Sequence, residues 1–163
     1  MNRVAILCVD DEAEVRDALV RDLEPFSVLC RIEVADDADD ARAAAALCAD
    51  AGDLVGLILC DHLMPGMLGA DLLVEFKEDP RFASARKVLV TGQAGLQDTI
   101  KAVNDADLHH YIAKPWTREA LHEVVRRYLT DYVIEECEDL LPFVSVLDGP
   151  RLLEAQKRRN QHE

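Results

Sequence analysis

No stretch of the 163-residue chain approaches the run of apolar residues that crossing a bilayer requires. The opening "MNRVAILCVDDE" has only a brief apolar segment before three acids, without a small-residue cleavage site, so no secretory leader is expected. Basic residues are scarce: 18 Lys and Arg stand against 32 Asp and Glu, and the net charge of −14 opposes phosphate backbones and acidic membrane surfaces. Neither direct nucleic-acid binding nor membrane association is expected. The five cysteines (Cys8, Cys30, Cys48, Cys60 and Cys137) form no CxxC pair, are odd in number, and mostly sit in apolar segments where Cys acts as a small hydrophobe. That usage argues against a metal cluster and for a reducing, cytoplasmic setting. A hydrophobic content of 50% suits one globular domain of ordinary size with an appendage.

What is present is an alternation. "RVAILCV" (3–9), "LVGLILC" (54–60) and "KVLV" (87–90) are short, apolar and rich in β-branched residues, with weaker strand candidates at 31–35 and 109–113. The segments between them have helical length: 12–24, 37–51, 69–79 and 95–106, with a last helix beginning near Thr117. In the first, Val15, Leu19 and Leu23 form one apolar stripe beside a charged face. The Ala-rich stretch "ADDARAAAALCADA" reads as a solvated helix. The pattern predicts an α/β fold, with five parallel strands in the flavodoxin-like order 2-1-3-4-5 and helices on both faces.

The polar residues fall on one edge of that scaffold. Asp10 and Asp11 follow the first strand, Asp61 the third, Thr91 the fourth and Lys114 the fifth, all at carboxyl ends, where open α/β sheets bind ligands. With strands about 4.8 Å apart, Asp10 and Asp11 lie close enough to Asp61 to share one cation. Three carboxylates so close repel, which favours a hard divalent ion with oxygen ligands, and Mg²⁺ is the natural candidate. Thr91 is one strand from Asp61 on the other side, where its hydroxyl can donate to an oxygen held above the carboxylate. Lys114 is two strands away, about 10 Å, a span that only a long cationic side chain covers. The set describes a phosphoryl site built around Asp61. Each residue taken singly also has a plain structural explanation as a turn acid, helix cap, strand terminus or surface charge.

"VDDE", "LILCDHLMPGMLG", "VLVTG" and "YIAKPW", in that order and at these separations, resemble the receiver domain of bacterial two-component response regulators. The resemblance covers about residues 1–130 and implies that Asp61 accepts a phosphoryl group from a phosphohistidine on a histidine kinase or phosphotransfer protein. It further implies that Asp10 and Asp11 hold Mg²⁺ with Asp61 and the backbone carbonyl of Leu63, and that Thr91 and Lys114 contact the phosphoryl oxygens. Pro115 would form the family's Lys-Pro turn. Tyr111 stands where the aromatic switch turns inward as Thr91 moves, although a structural tyrosine explains it as well. The phosphoryl group would bias a surface at the fourth helix, fifth strand and fifth helix, read by a downstream partner not named by the sequence.

Two positions depart from the common pattern. Gly92 stands where many receivers carry Ala, and Trp116 where Phe is common; the pair resembles receivers attached to phosphohydrolase-type outputs. Leu63 cannot orient a hydrolytic water, leaving Gln93 or a separate phosphatase for dephosphorylation. His62, His109 and His110 read as loop and strand-edge residues with no ligand set. Two other functions compete: a Mg²⁺-dependent phosphohydrolase with an aspartyl-phosphate intermediate, which would carry an acid at position 63, and a receiver-like scaffold that never accepts phosphate. The protein is expected to be a signalling module and not a metabolic enzyme.

Residues 131–163 are expected to form a helical extension with no recognisable output domain. Apolar residues recur at intervals of three and four from Leu121 through Val133, Cys137 and Leu140, which predicts one helix from Thr117 to about Leu141. At about 1.5 Å per residue it would run nearly 37 Å, more than the sheet can cover. Its distal stripe must fold back on its own chain or pair with another, and a homodimer through this helix is the preferred expectation. "DGPRLLEAQKRRNQHE" adds a turn and a short basic helix.

Overall fold

The computed structural model describes residues 3–92 and 103–162. In chain order its elements are β1 (Val4–Val9), α1 (Ala13–Asp22), β2 (Cys30–Ala35), α2 (Ala38–Asp50), β3 (Leu54–Cys60), β4 (Leu63–Met64), β5 (Met67–Leu68), α3 (Gly69–Glu78), β6 (Arg86–Thr91), β7 (His110–Ala113), α4 (Arg118–Glu136) and α5 (Gly149–Gln161). Five of the strands form one parallel sheet in the order β2-β1-β3-β6-β7, which is the expected flavodoxin-like arrangement once the small β4–β5 hairpin is set aside. That hairpin turns at Pro65-Gly66, where Gly66 takes a φ of 87°, a value that the second central residue of a type II turn needs. Most of the expected 95–106 helix falls outside the described residues; 103–106 are helical.

The central strands β1 and β3 read as nearly continuous apolar runs because helices cover both faces. Alternate side chains serve two cores. On one face Ala5, Leu7, Val9, Ile58 and Leu89 meet α2 and α3 through residues such as Ala41, Ala45, Leu72 and Phe76. On the other, Ile6, Cys8, Leu57, Leu59 and Val90 meet Leu19 of α1 and Leu121, Val125 and Leu129 of α4. Asp37 caps α2 by accepting the Asp40 N–H at 2.7 Å, and Thr117 caps α4 by accepting that of Ala120 at 3.1 Å.

The C-terminal region differs from the single long helix expected. α4 stops at Glu136, Cys137 takes an extended conformation, and the chain folds back through a 3₁₀ turn at Leu141–Phe143 into α5. Leu140, Leu147 and Leu152 are buried in the same cluster as Tyr132 and Val133, so the distal stripe of α4 is covered by its own chain. Polar contacts fix the return. Arg159 Nη1 donates to the carbonyls of Cys137 and Glu138, both at 2.9 Å and just past the helix, and Nη2 donates to that of Ile134, one of the carbonyls that a helix end leaves without partners. Thr130 Oγ1 accepts the Asp148 N–H at 3.1 Å, and Arg151 pairs with Asp131 at 2.6 Å. The apolar spacing misled because residues in the turn and in the returning segment continue the three-and-four rhythm while serving the same core.

Leu152 and Leu153 are adjacent but face opposite ways, the first buried and the second 51% exposed. Leu152→Ala should cost about 2–4 kcal/mol of unfolding free energy, whereas Leu153→Ala should change it by less than about 0.5 kcal/mol. Denaturant titrations of the two variants check this, and equal effects would contradict the packing of α5.

Candidate phosphoryl-transfer site

The carboxyl edge of the sheet gathers the residues expected there. Asp10 leaves β1 and Asp61 leaves β3, tied to one another's strand by the Asp61 N–H donating to the Val9 carbonyl at 2.8 Å. Both side chains are buried, and Asp11 is exposed beside them. One oxygen from each of Asp10, Asp11 and Asp61 lies within 4.8 Å of the others, a grouping of hard oxygen donors compatible with a divalent cation. Lys114, reaching in from beyond β7, places Nζ 2.6 Å from Asp10 Oδ2 and 3.4 Å from Asp61 Oδ1. Thr91, the last residue of β6, is buried, and its side chain acts to lower the pKa of the Asp61 carboxylate. The expected convergence of Asp10, Asp11, Asp61, Thr91 and Lys114 is therefore present.

Electrostatics follow from this packing. Burial pushes the Asp61 pKa above the ordinary carboxylate value; Lys114 acts against that, Asp10 reinforces it, and the Thr91 and His62 hydrogen bonds oppose it. Burial weighs against the Lys114 ammonium, but its hydrogen bond to Asp10 and the charges of both acids leave its pKa raised. The lysine is thus held charged between two buried carboxylates.

The remaining expected residues also lie at this edge. Leu63 opens β4 just beyond Asp61, with its side chain 45% exposed. Tyr111 packs partly against the core, and its hydroxyl donates to the Thr91 carbonyl at 2.9 Å, a direct link between these two positions. Pro115 follows a cis peptide bond after Lys114. A Cβ built on Gly92 would come no nearer than 3.8 Å to Lys114, so the position leaves space beside the lysine. Gln93 lies outside the described residues.

Three contributors were not legible in the sequence. His62, expected in a loop, is fully buried: its N–H donates to Asp61 Oδ1 at 2.9 Å, and its Nδ1 accepts the Ala70 N–H at 3.4 Å. Gly69 lies against the backbone of the phosphoryl-site loop, where an added Cβ would fall 1.9 Å from the Asp61 carbonyl oxygen. Its N–H donates to the His62 carbonyl at 2.7 Å. Arg16 reaches back from α1 to donate to the Asp10 carbonyl at 2.8 Å. The eight-residue separation of Gly69 from Asp61 was the one available signal, but it carries meaning only once the hairpin is known to bring the chain back.

Fold and site together define a receiver. Residues 6–126 match the model of the response regulator receiver domain, and the chain belongs to that family. It is 36% identical over 126 residues to the hydrogenase transcriptional regulatory protein HoxA of Cupriavidus necator, covering 77% of this chain but 24% of that one. This chain therefore spans about a quarter of the length of that relative. Among solved structures, the CheY-like response regulator receiver domain protein of Methanospirillum hungatei JF-1 is 28% identical, with a TM-score of 0.71 and coverage of 82% of this chain and 99% of that one. The signal receiver domain of an HD domain-containing protein from Pseudomonas fluorescens Pf-5 is 27% identical, with a TM-score of 0.70 and coverage of 85% and 96%. No helix among the described residues is long and apolar enough to cross a membrane.

The raised pKa of Asp61 has a consequence for stability. Because the folded state holds this proton more tightly than the unfolded chain does, protonation favours folding at acid pH, and that contribution is lost as pH rises through the folded pKa. At neutral pH and without divalent cations the ionised carboxylate is a net burden. Asp61→Asn should then stabilise the protein by about 1 kcal/mol, about 2–4 °C in midpoint for a chain of this size. Thermal unfolding at pH 7 and pH 4 checks this; the advantage should shrink at pH 4, and a destabilised variant at pH 7 would contradict it.

Proposed function

We propose that Asp61 is the phosphoacceptor of a response regulator, taking a phosphoryl group from a phosphohistidine of a histidine kinase or phosphotransfer protein. The observation that carries this reading is the Lys114 ammonium held between Asp10 and Asp61, beside Thr91, at the carboxyl edge of the sheet. A carboxylate oxygen of Asp61 attacks phosphorus, the P–N bond to imidazole breaks, and an acyl phosphate forms. In this reading Lys114 and the Thr91 hydroxyl would meet the phosphoryl oxygens as charge shifts onto them. Asp10, Asp11 and Asp61, with the Leu63 carbonyl, would hold Mg²⁺, which supplies charge neutralisation among the three acids.

The chain acts in this reading as a phosphoacceptor and switch, and not as a metabolic enzyme. Movement of Thr91 toward a phosphoryl group would be felt at Tyr111 through the hydroxyl-to-carbonyl bond that joins them. A downstream protein reads the altered surface, in the cytoplasm and without direct binding of nucleic acid or membrane, in keeping with the charge of −14. Residues 1–130 form the receiver in this reading and 131–163 a helical extension with no recognisable output domain. An aspartyl-phosphate phosphohydrolase is disfavoured by the partly exposed Leu63 where a second acid would be needed, and a silent scaffold by the complete set of acids, Thr91 and Lys114.

Incubation with acetyl phosphate and Mg²⁺ should add one phosphoryl group that hydroxylamine releases. Asp61→Asn should abolish that labelling, and a variant labelled like the parent would remove the reading. Homodimerisation is a separate part of the proposal. With the α4 stripe covered by its own chain, a dimer would draw on outward residues such as Leu141 and Leu153, 57% and 51% exposed. Light scattering of the intact chain at micromolar concentration should give twice the monomer mass, and a monomer would rule the dimer out.

A further inference from the structure

Trp116 is the only tryptophan in the chain and directly follows the Lys114–Pro115 pair. Its indole Nε1 donates to Asp22 Oδ2 at 2.9 Å. Asp22 is the last residue of α1 and is buried, a costly place for a carboxylate because both burial and the negative end of the helix dipole oppose its charge. Burial acts to raise its pKa, yet the Trp116 N–H and the neighbouring Arg21, whose Nε lies 3.3 Å from Oδ1, hold it below the ordinary carboxylate value. The Arg21 side chain is 74% exposed, so solvent screens its share and the indole is the sheltered partner. On the backbone side, His122 Nε2 from the first turns of α4 contacts the Asp22 carbonyl, and its ring stands edge-on to Phe26.

α1 also touches the phosphoryl site at its other end, through Arg16 Nη1 on the Asp10 carbonyl. Arg16 and Asp22 are six positions apart, about 9 Å along the helix, so one rigid element holds both Asp10 and the residue that follows Pro115. Segment 114–117 is thereby fixed at three points: Lys114 by the two carboxylates, Trp116 by Asp22, and Thr117 by capping α4.

We propose that Trp116 is a positioning residue for phosphoryl transfer. By donating its indole N–H to Asp22 it ties the Lys114–Pro115 turn to α1 and so holds the Lys114 ammonium over Asp10 and Asp61. The inference rests on the reading of Asp61 as the phosphoacceptor and adds a residue that touches none of the reacting atoms. Phe at this position supplies an apolar ring but no donor, leaving Asp22 buried with the exposed Arg21 and the more distant charge of Arg118. The lysine turn is then free to shift away from the acids.

The test is a double-mutant cycle read as the initial rate of labelling by acetyl phosphate at saturating Mg²⁺. Trp116→Phe should slow labelling about fivefold and Lys114→Ala about 100-fold, and the double variant should be no slower than Lys114→Ala alone. Asp22→Ala should match Trp116→Phe, while Asp22→Asn, whose amide oxygen still accepts from the indole, should recover most of the rate. Circular dichroism establishes that each variant is folded. A folded Trp116→Phe labelled at the parent rate, a double variant whose losses multiply to about 500-fold, or an Asp22→Asn no better than Asp22→Ala each overturns the inference. Those outcomes leave the phosphoacceptor reading intact, since it fails only if the parent protein itself takes no label at Asp61.

Discussion

The site depends on one ammonium held among carboxylates. Asp10 and Asp61 are both buried and extend from neighbouring strands, an arrangement that two negative charges would not sustain alone. Lys114 Nζ, 2.6 Å from one and 3.4 Å from the other, supplies the compensating charge and is itself kept ionised by them. Asp11 adds a third acid at the same edge, and burial keeps the Asp61 pKa raised despite the lysine. Three acids gathered at one edge form a set of hard oxygen donors that a divalent cation would fit.

The rest of the structure serves to hold that lysine and those acids in register. Parallel pairing of β1 with β3 and β3 with β6 sets the spacing of Asp10, Asp61 and Thr91, while the β6–β7 pair delivers Lys114. α1 secures both sides, through Arg16 to Asp10 and through Asp22 to Trp116. The Asp61 loop is closed from below by Gly69 and by the buried His62. The C-terminal extension works at the opposite end of α4: Arg159 donates to the Ile134 carbonyl in its last turn and to those of Cys137 and Glu138 just beyond it, and Leu140, Leu147 and Leu152 enlarge the core beneath it. Its contacts stabilise the helix that begins immediately after the lysine turn.

Much of this was legible in the sequence because the informative residues obey simple periodicities. Apolar β-branched runs bounded by acids marked β1 and β3, and the placement of Asp10, Asp11, Asp61, Thr91 and Lys114 at successive strand ends was enough to bring them together. What escaped depends on contacts between distant segments. His62 is in a loop as expected, but its burial against the returning chain at Gly69 and Ala70 has no local pattern to reveal it. Trp116 looked like a substitution for Phe because its partner Asp22 is 94 positions away. The end of α4 was misplaced because Cys137 and Leu140 continue its apolar rhythm, although Leu140 reaches the core from a returning chain and not from the helix.

The central claim is that a phosphoryl group attaches to the Asp61 carboxylate and to no other of the clustered acids. Borohydride reduction of the protein labelled from a phosphohistidine donor, followed by peptide mass spectrometry, converts an acyl phosphate at its site of formation into homoserine. The account predicts homoserine at position 61 with Asp10 and Asp11 intact; homoserine at either of those positions, or at none, would contradict it.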